Sequence, residues 1–266
     1  MSDLGTALVT GASTGIGAIY ADRLARRSYD LILVARDAAR LEALATRLRT
    51  ETGCKVDVLV ADLTDRGDVA AVEARLAADA TITMLVNNAG MSLTGTLLDS
   101  SVDSVERLIA LNITAVTLLA GAAGRAFAGR GKGAIVNLAS VLALAPERFD
   151  GVYSGSKAFV LNLSQSLAPI LEPKGVRVQA VLPGATRTEI WQRSGKDIDA
   201  FPAEMVMEVD DLVDAALVGF DAGETVTIPP LADDAPWLAM TQTRLGLGPN
   251  LSKRDVAPRY RALAPA

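Results

Sequence analysis

A chain of 266 residues, half of them apolar and 4% aromatic, can form one large α/β domain or two small ones, and its composition suits helices packed on a sheet better than an aromatic-rich β-sandwich. Twenty-six Lys and Arg against 31 Asp and Glu give a net charge of −5, with the basic residues scattered among acids, which argues against a general nucleic-acid binder. The one cysteine, Cys54, excludes an intrachain disulfide, and the lack of histidine removes the usual general base and the commonest metal ligand, so no metal site is expected.

Thr6–Thr10 reads as a short apolar strand running into a glycine-rich turn and a helix to about Arg27. Asp30–Ala35 is a second strand, and Ala38–Thr50 carries Leu41, Leu44 and Leu48 at helical spacing. Lys55–Ala61 and Ile82–Val86 are strands with an acidic helix between them, and Cys54, near the start of the first, reads as structural. A long helical stretch covers Ser101–Arg130, followed by a strand at Ala134–Leu138, a helix at Gly151–Leu171 and a strand at Val176–Leu182. Asp210–Phe220 is a helix and Thr225–Ile228 a last short strand.

Strands that are apolar on both faces, separated by helix-length segments, imply a parallel sheet covered on both sides. The expected fold class is therefore α/β: a three-layer, doubly wound, Rossmann-like sheet in a single domain spanning 1–266, with its core at 4–230. Such a sheet binds its ligand beyond the carboxyl ends of the strands. Two segments fall outside the alternation. Residues 186–206 mix Ile190, Trp191, Phe201 and Met205 with Lys196 and several acids, and the tail 231–266, with Pro236, Trp237, Pro249 and Pro258, takes no assignment. The start, Met1–Gly5, lacks a basic stretch followed by an apolar one, and no window reaches the uninterrupted apolar length of a membrane span, so a cytoplasmic protein with no membrane partner is expected.

The first strand enters Thr10-Gly11-Ala12-Ser13-Thr14-Gly15-Ile16-Gly17. Glycines permit a tight turn there and let backbone N–H groups approach a pyrophosphate at a helix N-terminus; a purely structural turn has the same composition. At the end of the second strand, where a carboxylate would hold the ribose 2′-hydroxyl of NAD, stand Ala35 and Arg36. A guanidinium attracts a 2′-phosphate, so NADP(H) is expected in preference to NAD(H), the alternative for Arg36 being a solvated loop residue beside Asp37.

The glycine turn, Asp62-Leu63, Asn87-Asn88-Ala89-Gly90, Asn112, Ser140, Tyr153-x3-Lys157 and Pro183-Gly184 follow one another in an order and spacing that resemble the compact, single-domain branch of the short-chain dehydrogenase/reductase family over about residues 4–230. The resemblance implies an oxidoreductase that moves a hydride between a nicotinamide and a carbonyl or secondary alcohol. Its chemistry would rest on Tyr153, Lys157, Ser140 and Asn112. Tyr153 and Lys157, four apart on a helix, share a face; the ammonium is expected to lower the phenol pKa so that Tyr153 exchanges a proton with the substrate oxygen. Ser140, at the end of a strand, can bond the same oxygen. By resemblance, Lys157 also holds the nicotinamide ribose, and Asn112 fixes a water in a proton relay. Its hydrogen bonds to a helix backbone would be compatible with that.

The cofactor set implied in the same way is Gly11, Ser13, Thr14, Gly15, Ile16, Gly17, Arg36, Asp62, Leu63, Asn88, Ala89, Gly90, Tyr153, Lys157, Pro183, Gly184, Thr186 and Thr188. Asp62 and Leu63 are placed at the adenine end and Thr188 at the carboxamide, while Asn87 stabilises the sheet. Leu142, Leu144, Trp191, Phe201, Met205 and Val206 suggest a mainly apolar substrate pocket with Ser140 and Tyr153, or else core packing. The helices at Ser101–Arg130 and Gly151–Leu171 resemble those that pair in family dimers and tetramers, so a homodimer or homotetramer is expected. A 3-oxoacyl thioester reductase is an alternative within the family. A non-catalytic nucleotide-binding protein on the same fold is an alternative outside enzymes.

Overall fold

The structure is a computed structural model that describes residues 4–261, so the first three residues and the last five of the expected tail lie outside it. In chain order the elements are β1 (Thr6–Thr10), α1 (Gly15–Arg26), β2 (Asp30–Ala35), α2 (Ala38–Thr52), β3 (Val56–Val60), α3 (Arg66–Ala78) and β4 (Ile82–Asn87). There follow α4 (Val102–Ile109), α5 (Val116–Arg130), β5 (Gly133–Leu138), α6 (Gly151–Leu171), β6 (Val176–Val181), α7 (Ile190–Arg193), α8 (Val209–Asp221) and β7 (Val226–Thr227), then α9 (Ala235–Gly246) and α10 (Pro258–Arg261). The chain divides into two compact units between Pro230 and Leu231. The second unit holds α9, a 3-10 turn at Gly248–Asn250 and α10, where the sequence offered no assignment.

In the first unit all seven strands run parallel in the order β3-β2-β1-β4-β5-β6-β7. The alternation of the strands explains why both faces are dry. Ala7 and Val9 of β1 and Leu31 and Leu33 of β2 meet Leu24 of α1, Leu41 and Leu48 of α2, and Leu217 and Phe220 of α8. Leu8, Ile32 and Val34, one residue out of phase, meet Val72 and Leu76 of α3, Leu119 and Phe127 of α5, and Leu171 of α6. Burying each such side chain contributes about 1.5–3 kcal/mol, and together they hold the strand ends in fixed register. β1 and β4 are neighbours at the point where the strand order reverses, so a crevice opens beyond their carboxyl ends.

The expected long helix at Ser101–Arg130 is continuous from Val102 but carries a π turn at Ala110–Ala115 between α4 and α5. By length and composition Val102–Arg130 is apolar enough to cross a membrane, but it is not an uninterrupted apolar run, since Asp103, Glu106 and Arg107 stand near its start and Asn112 and Thr114 in its middle. Half of its most apolar window is buried inside the protein, so the apolar character serves the core, with Leu108, Leu119 and Phe127 fully covered.

Candidate active site

The site is assembled from the carboxyl ends of β1, β4, β5 and β6. Thr10 closes β1, and its Oγ1 accepts the backbone N–H groups of Asn88 (3.0 Å) and Ala89 (3.1 Å), tying β1 to the residues after β4. The side chain of Asn88 donates to the carbonyls of Thr10 (2.9 Å) and Gly11 (3.3 Å), so its amide is committed to shaping the turn. Gly11 has φ +66°, and a Cβ on Gly17 would strike the Gly11 carbonyl and the Asn88 amide, so this close approach requires glycine at both positions. Ser13, Thr14, Gly15 and Ile16 complete the turn into α1. Thr14 caps α1 without a side-chain bond, and the first turn contains no acid. The helix therefore presents free N–H groups and the positive end of its dipole, which suits a pyrophosphate.

Arg36 is exposed just beyond β2, with Nη1 3.8 Å from Asp62 Oδ2. Burial raises the Asp62 pKa, but bonds from the Thr64 N–H (3.0 Å) and hydroxyl (2.8 Å), with Arg36 nearby, outweigh it and hold the carboxyl below its ordinary value. Leu63 beside it is buried. Arg40, one turn into α2, brings a second guanidinium that the sequence reading did not use; its Nη1 lies 2.9 Å from each carboxylate oxygen of Glu189. Its place in the first turn of α2, four residues after Arg36, was the available signal.

Asn87 lies in the sheet as expected, its amide donating to Asn137 Oδ1 of β5 (3.0 Å), which in turn reaches Ser164 of α6 (2.9 Å). Gly90 brings two further groups together, since a Cβ there would lie 3.4 Å from both Asn112 Oδ1 and Lys157 Nζ. Asn112 is buried in the π turn. It accepts from the Met91 N–H and donates to the Met91 carbonyl, each at 2.9 Å, and donates to Ser156 Oγ at 3.1 Å. The wider π turn aims the amide inward; Asn112, Ile113 and Thr114 are weak helix formers, the only sequence sign of it. Met91 and Ser156 as its partners were not foreseen.

The α6 N-terminus is capped by Asp150, whose carboxylate accepts from the N–H groups of Val152 (3.3 Å) and Tyr153 (2.9 Å). This fixes where Tyr153 starts on the helix. Ser140, two residues beyond β5, is buried; its Oγ accepts from the Leu142 N–H at 3.1 Å, its hydroxyl donates to the Pro183 carbonyl at 3.5 Å, and it stands near enough to Tyr153 to lower the phenol pKa. Lys157 lies beside them, with Nζ 5.7 Å from the centre of the Tyr153 ring and donating to the Leu138 carbonyl at 2.9 Å.

The electrostatics differ from the sequence expectation. Burial pushes the Tyr153 phenol up to about 12, only partly offset by the Ser140 bond, and pushes Lys157 down to about 8. Among the protein's own groups desolvation outweighs attraction, because the ammonium stands off the ring and is spent on a carbonyl.

Pro183 and Gly184 follow β6, with the Pro183 carbonyl accepting from the Val141 N–H at 2.9 Å. The segment after them begins and ends on a backbone pairing, the Arg187 N–H to the Met207 carbonyl (3.0 Å) and the Met207 N–H to the Ala185 carbonyl (2.9 Å). Thr186 is buried and bonds the Gly184 carbonyl, while Thr188 packs near Gly15 of the glycine turn. Trp191 donates its indole N–H to the Thr186 carbonyl (2.8 Å) and lies 5.0 Å from the Phe201 ring, so it packs within the segment.

A family model described as "short chain dehydrogenase" matches residues 5–199, most of the chain. The chain belongs to the short-chain dehydrogenase family. A short-chain dehydrogenase from Sphingobium yanoikuyae, solved in complex with NADPH, is 55% identical with a TM-score of 0.94, covering 97% of this chain and 100% of that one. A bulky-bulky ketone specific alcohol dehydrogenase from Comamonas testosteroni is 49% identical with a TM-score of 0.90, covering 97% and 99%. Human 17-beta-hydroxysteroid dehydrogenase type 3 is 35% identical over 68% of this chain, which spans 59% of that relative's length. As a member of the short-chain dehydrogenases, the chain is a nicotinamide-dependent oxidoreductase acting on CH–OH and C=O groups.

Proposed function

We propose that this short-chain dehydrogenase reduces apolar ketones with NADPH, using Tyr153 as the acid. The observation that carries the reading is the convergence of buried Ser140, Tyr153 and Lys157, with Lys157 Nζ 5.7 Å from the Tyr153 ring centre, beyond the carboxyl ends of the parallel strands. When bound there, NADPH would supply the hydride for the carbonyl carbon. Tyr153 donates its phenolic proton to the carbonyl oxygen, and Ser140 donates a hydrogen bond that holds that oxygen in place. Lys157 carries the positive charge that favours the phenolate left behind. Asn112, through the Met91 backbone and Ser156, fixes the walls around Lys157. In the oxidative direction the same phenol accepts the alcohol proton. The glycine turn, Ala89, Gly90, Pro183 and Gly184 would hold the cofactor.

Of the similar structures, one is an NADPH complex and one an enzyme specific for bulky-bulky ketones, and these support the cofactor and the substrate class. Exposed apolar side chains on α4 (Val102, Ile109) and α6 (Phe159, Ile170) support assembly as a homodimer or homotetramer, which light scattering of the purified protein tests.

A panel of ketones and secondary alcohols assayed with NADPH and NADH tests the activity; reduction of none of them with either cofactor would sink the reading. Arg36→Ala is expected to raise KM for NADPH on the order of tenfold and leave that for NADH little changed, because a charge-assisted bond to a 2′-phosphate is lost. Equal losses with both cofactors would mean that Arg36 does not recognise the phosphate.

The pH dependence has a defined sign. Reduction consumes a phenolic proton and is assisted by charged Lys157, so its kcat/KM declines as pH rises above about 8, where Lys157 deprotonates. Oxidation needs the phenolate and rises with pH up to about 8, while Lys157 still carries its charge. Measuring both directions checks this; parallel slopes would exclude Tyr153 as the group exchanging the proton.

A further inference from the structure

The segment between Thr186 and Met207 is tied to two separate parts of the site. Its first part is held by Glu189, which pairs with Arg40 of α2, and by Thr188 near the glycine turn. Its second tie is made by the turn at Ser194–Lys196. Lys196 Nζ lies 3.7 Å from the centre of the Phe149 ring and 3.4 Å from the Leu93 carbonyl. Gly195, at φ +68°, packs so closely on Thr94 that a Cβ there would lie 3.1 Å from Thr94 Cγ2. Ser194 is buried and folds back to bond the Trp191 carbonyl at 3.0 Å. Phe149 in turn stands edge-on to Tyr153, with ring centres 5.5 Å apart. Three segments distant in sequence, after β4, before α6 and after β6, thus converge on one aromatic ring that borders the phenol.

We propose that Lys196 and Phe149 form a latch that closes the 186–207 segment over the substrate, and that Phe149 is a specificity-determining residue limiting the size of the group carried beside the carbonyl. This rests on the ketone-reductase reading above. A ring that borders Tyr153 also borders a group held on its hydroxyl, so Phe149 offers an apolar wall to one substituent of the ketone. Lys196 covers the ring with its cation, half-buried, where a cation–π contact is stronger than at an open surface. The flat ring, pinned by the cation, cannot swing aside for a bulkier substituent. Lys196 acts through Phe149, the Leu93 carbonyl and the nearby Asp150 carboxylate, which makes it a positioning residue.

The test uses Lys196→Met, Lys196→Arg, Phe149→Ala and the milder Phe149→Leu, assayed with NADPH on acetophenone and the bulkier isobutyrophenone. Lys196→Met is expected to raise KM for the ketones about tenfold, with a smaller change in kcat and none in KM for NADPH; Lys196→Arg, which keeps the cation, restores the ketone KM. Both Phe149 variants shift the kcat/KM ratio toward isobutyrophenone, Phe149→Ala by about tenfold. Unchanged ketone KM in Lys196→Met, or equal losses on both ketones in the Phe149 variants, would overturn the proposal. Amide hydrogen exchange over residues 187–205 separates its failure from that of the reductase reading. The exchange is expected to be faster in Lys196→Met than in the parent whether or not any ketone is reduced, and unchanged exchange rules the latch out.

Discussion

Replacing Tyr153 with Phe is expected to lower kcat for ketone reduction by about 10²–10⁴-fold, the range spanned by loss of a positioned general acid. The substitution removes one oxygen and leaves the ring against Phe149, so the aromatic packing survives. The Asp150 cap, which uses the backbone N–H at position 153, is also untouched. What disappears is the proposed proton donor, the phenolic hydroxyl beside Ser140. Cofactor binding, read by fluorescence titration with NADPH, is therefore expected to persist while turnover collapses. An undiminished kcat would remove the phenol from the mechanism, and a variant that neither binds NADPH nor keeps its melting temperature would point to packing instead.

Lys157→Met is expected to move activity and stability in opposite directions. Lys157 is 6% exposed, and burial depresses its pKa from 10.5 to about 8. A depressed ammonium pKa means that the unfolded chain binds the proton more tightly, so charged Lys157 costs the folded state about 3 kcal/mol below pH 8. That cost is relieved as pH rises from 8 towards 10.5. Methionine removes it but leaves the Leu138 carbonyl without its donor, a loss of about 1–3 kcal/mol, for a net gain of up to about 2 kcal/mol at pH 7. Activity falls on the order of 10²-fold, because the charge that favours the phenolate is gone. Urea unfolding at pH 7 and at pH 10 checks the sign: the advantage of the variant over the parent shrinks at the higher pH. An advantage that grows with pH would contradict a buried, penalised ammonium.

The elements that hold the site were legible wherever local periodicity carries the information. β1, β2 and α6 lie where the apolar runs and helical spacing put them, with α6 matching at both ends, because a strand buried on both faces and an amphipathic helix each write their pattern into neighbouring residues. The glycine turn was legible for the same reason: Gly11 and Gly17 sit where a backbone must approach another backbone, and that demand is local. The π turn was not. It changes the direction of Asn112 through one extra residue per turn, and its sequence sign, Asn-Ile-Thr in a helix, has many other outcomes. Arg40 and Glu189, 149 residues apart, and Lys196 and Phe149 meet only after the chain has folded, so no spacing announces them.

The amino-acid sequence by itself determined the parallel α/β sheet, the glycine turn after β1 and a tyrosine and lysine on one helix face. These depend on periodicities of two and 3.6 residues and on glycine at fixed offsets, all short-range properties. Only the tertiary structure decided how that pair is poised. Packing α6 against β6 and β5 takes the ammonium and most of the phenol out of water, and desolvation then raises one pKa and lowers the other against their mutual attraction. The cost of removing a charge from water depends on everything packed around it, which no window of the sequence contains.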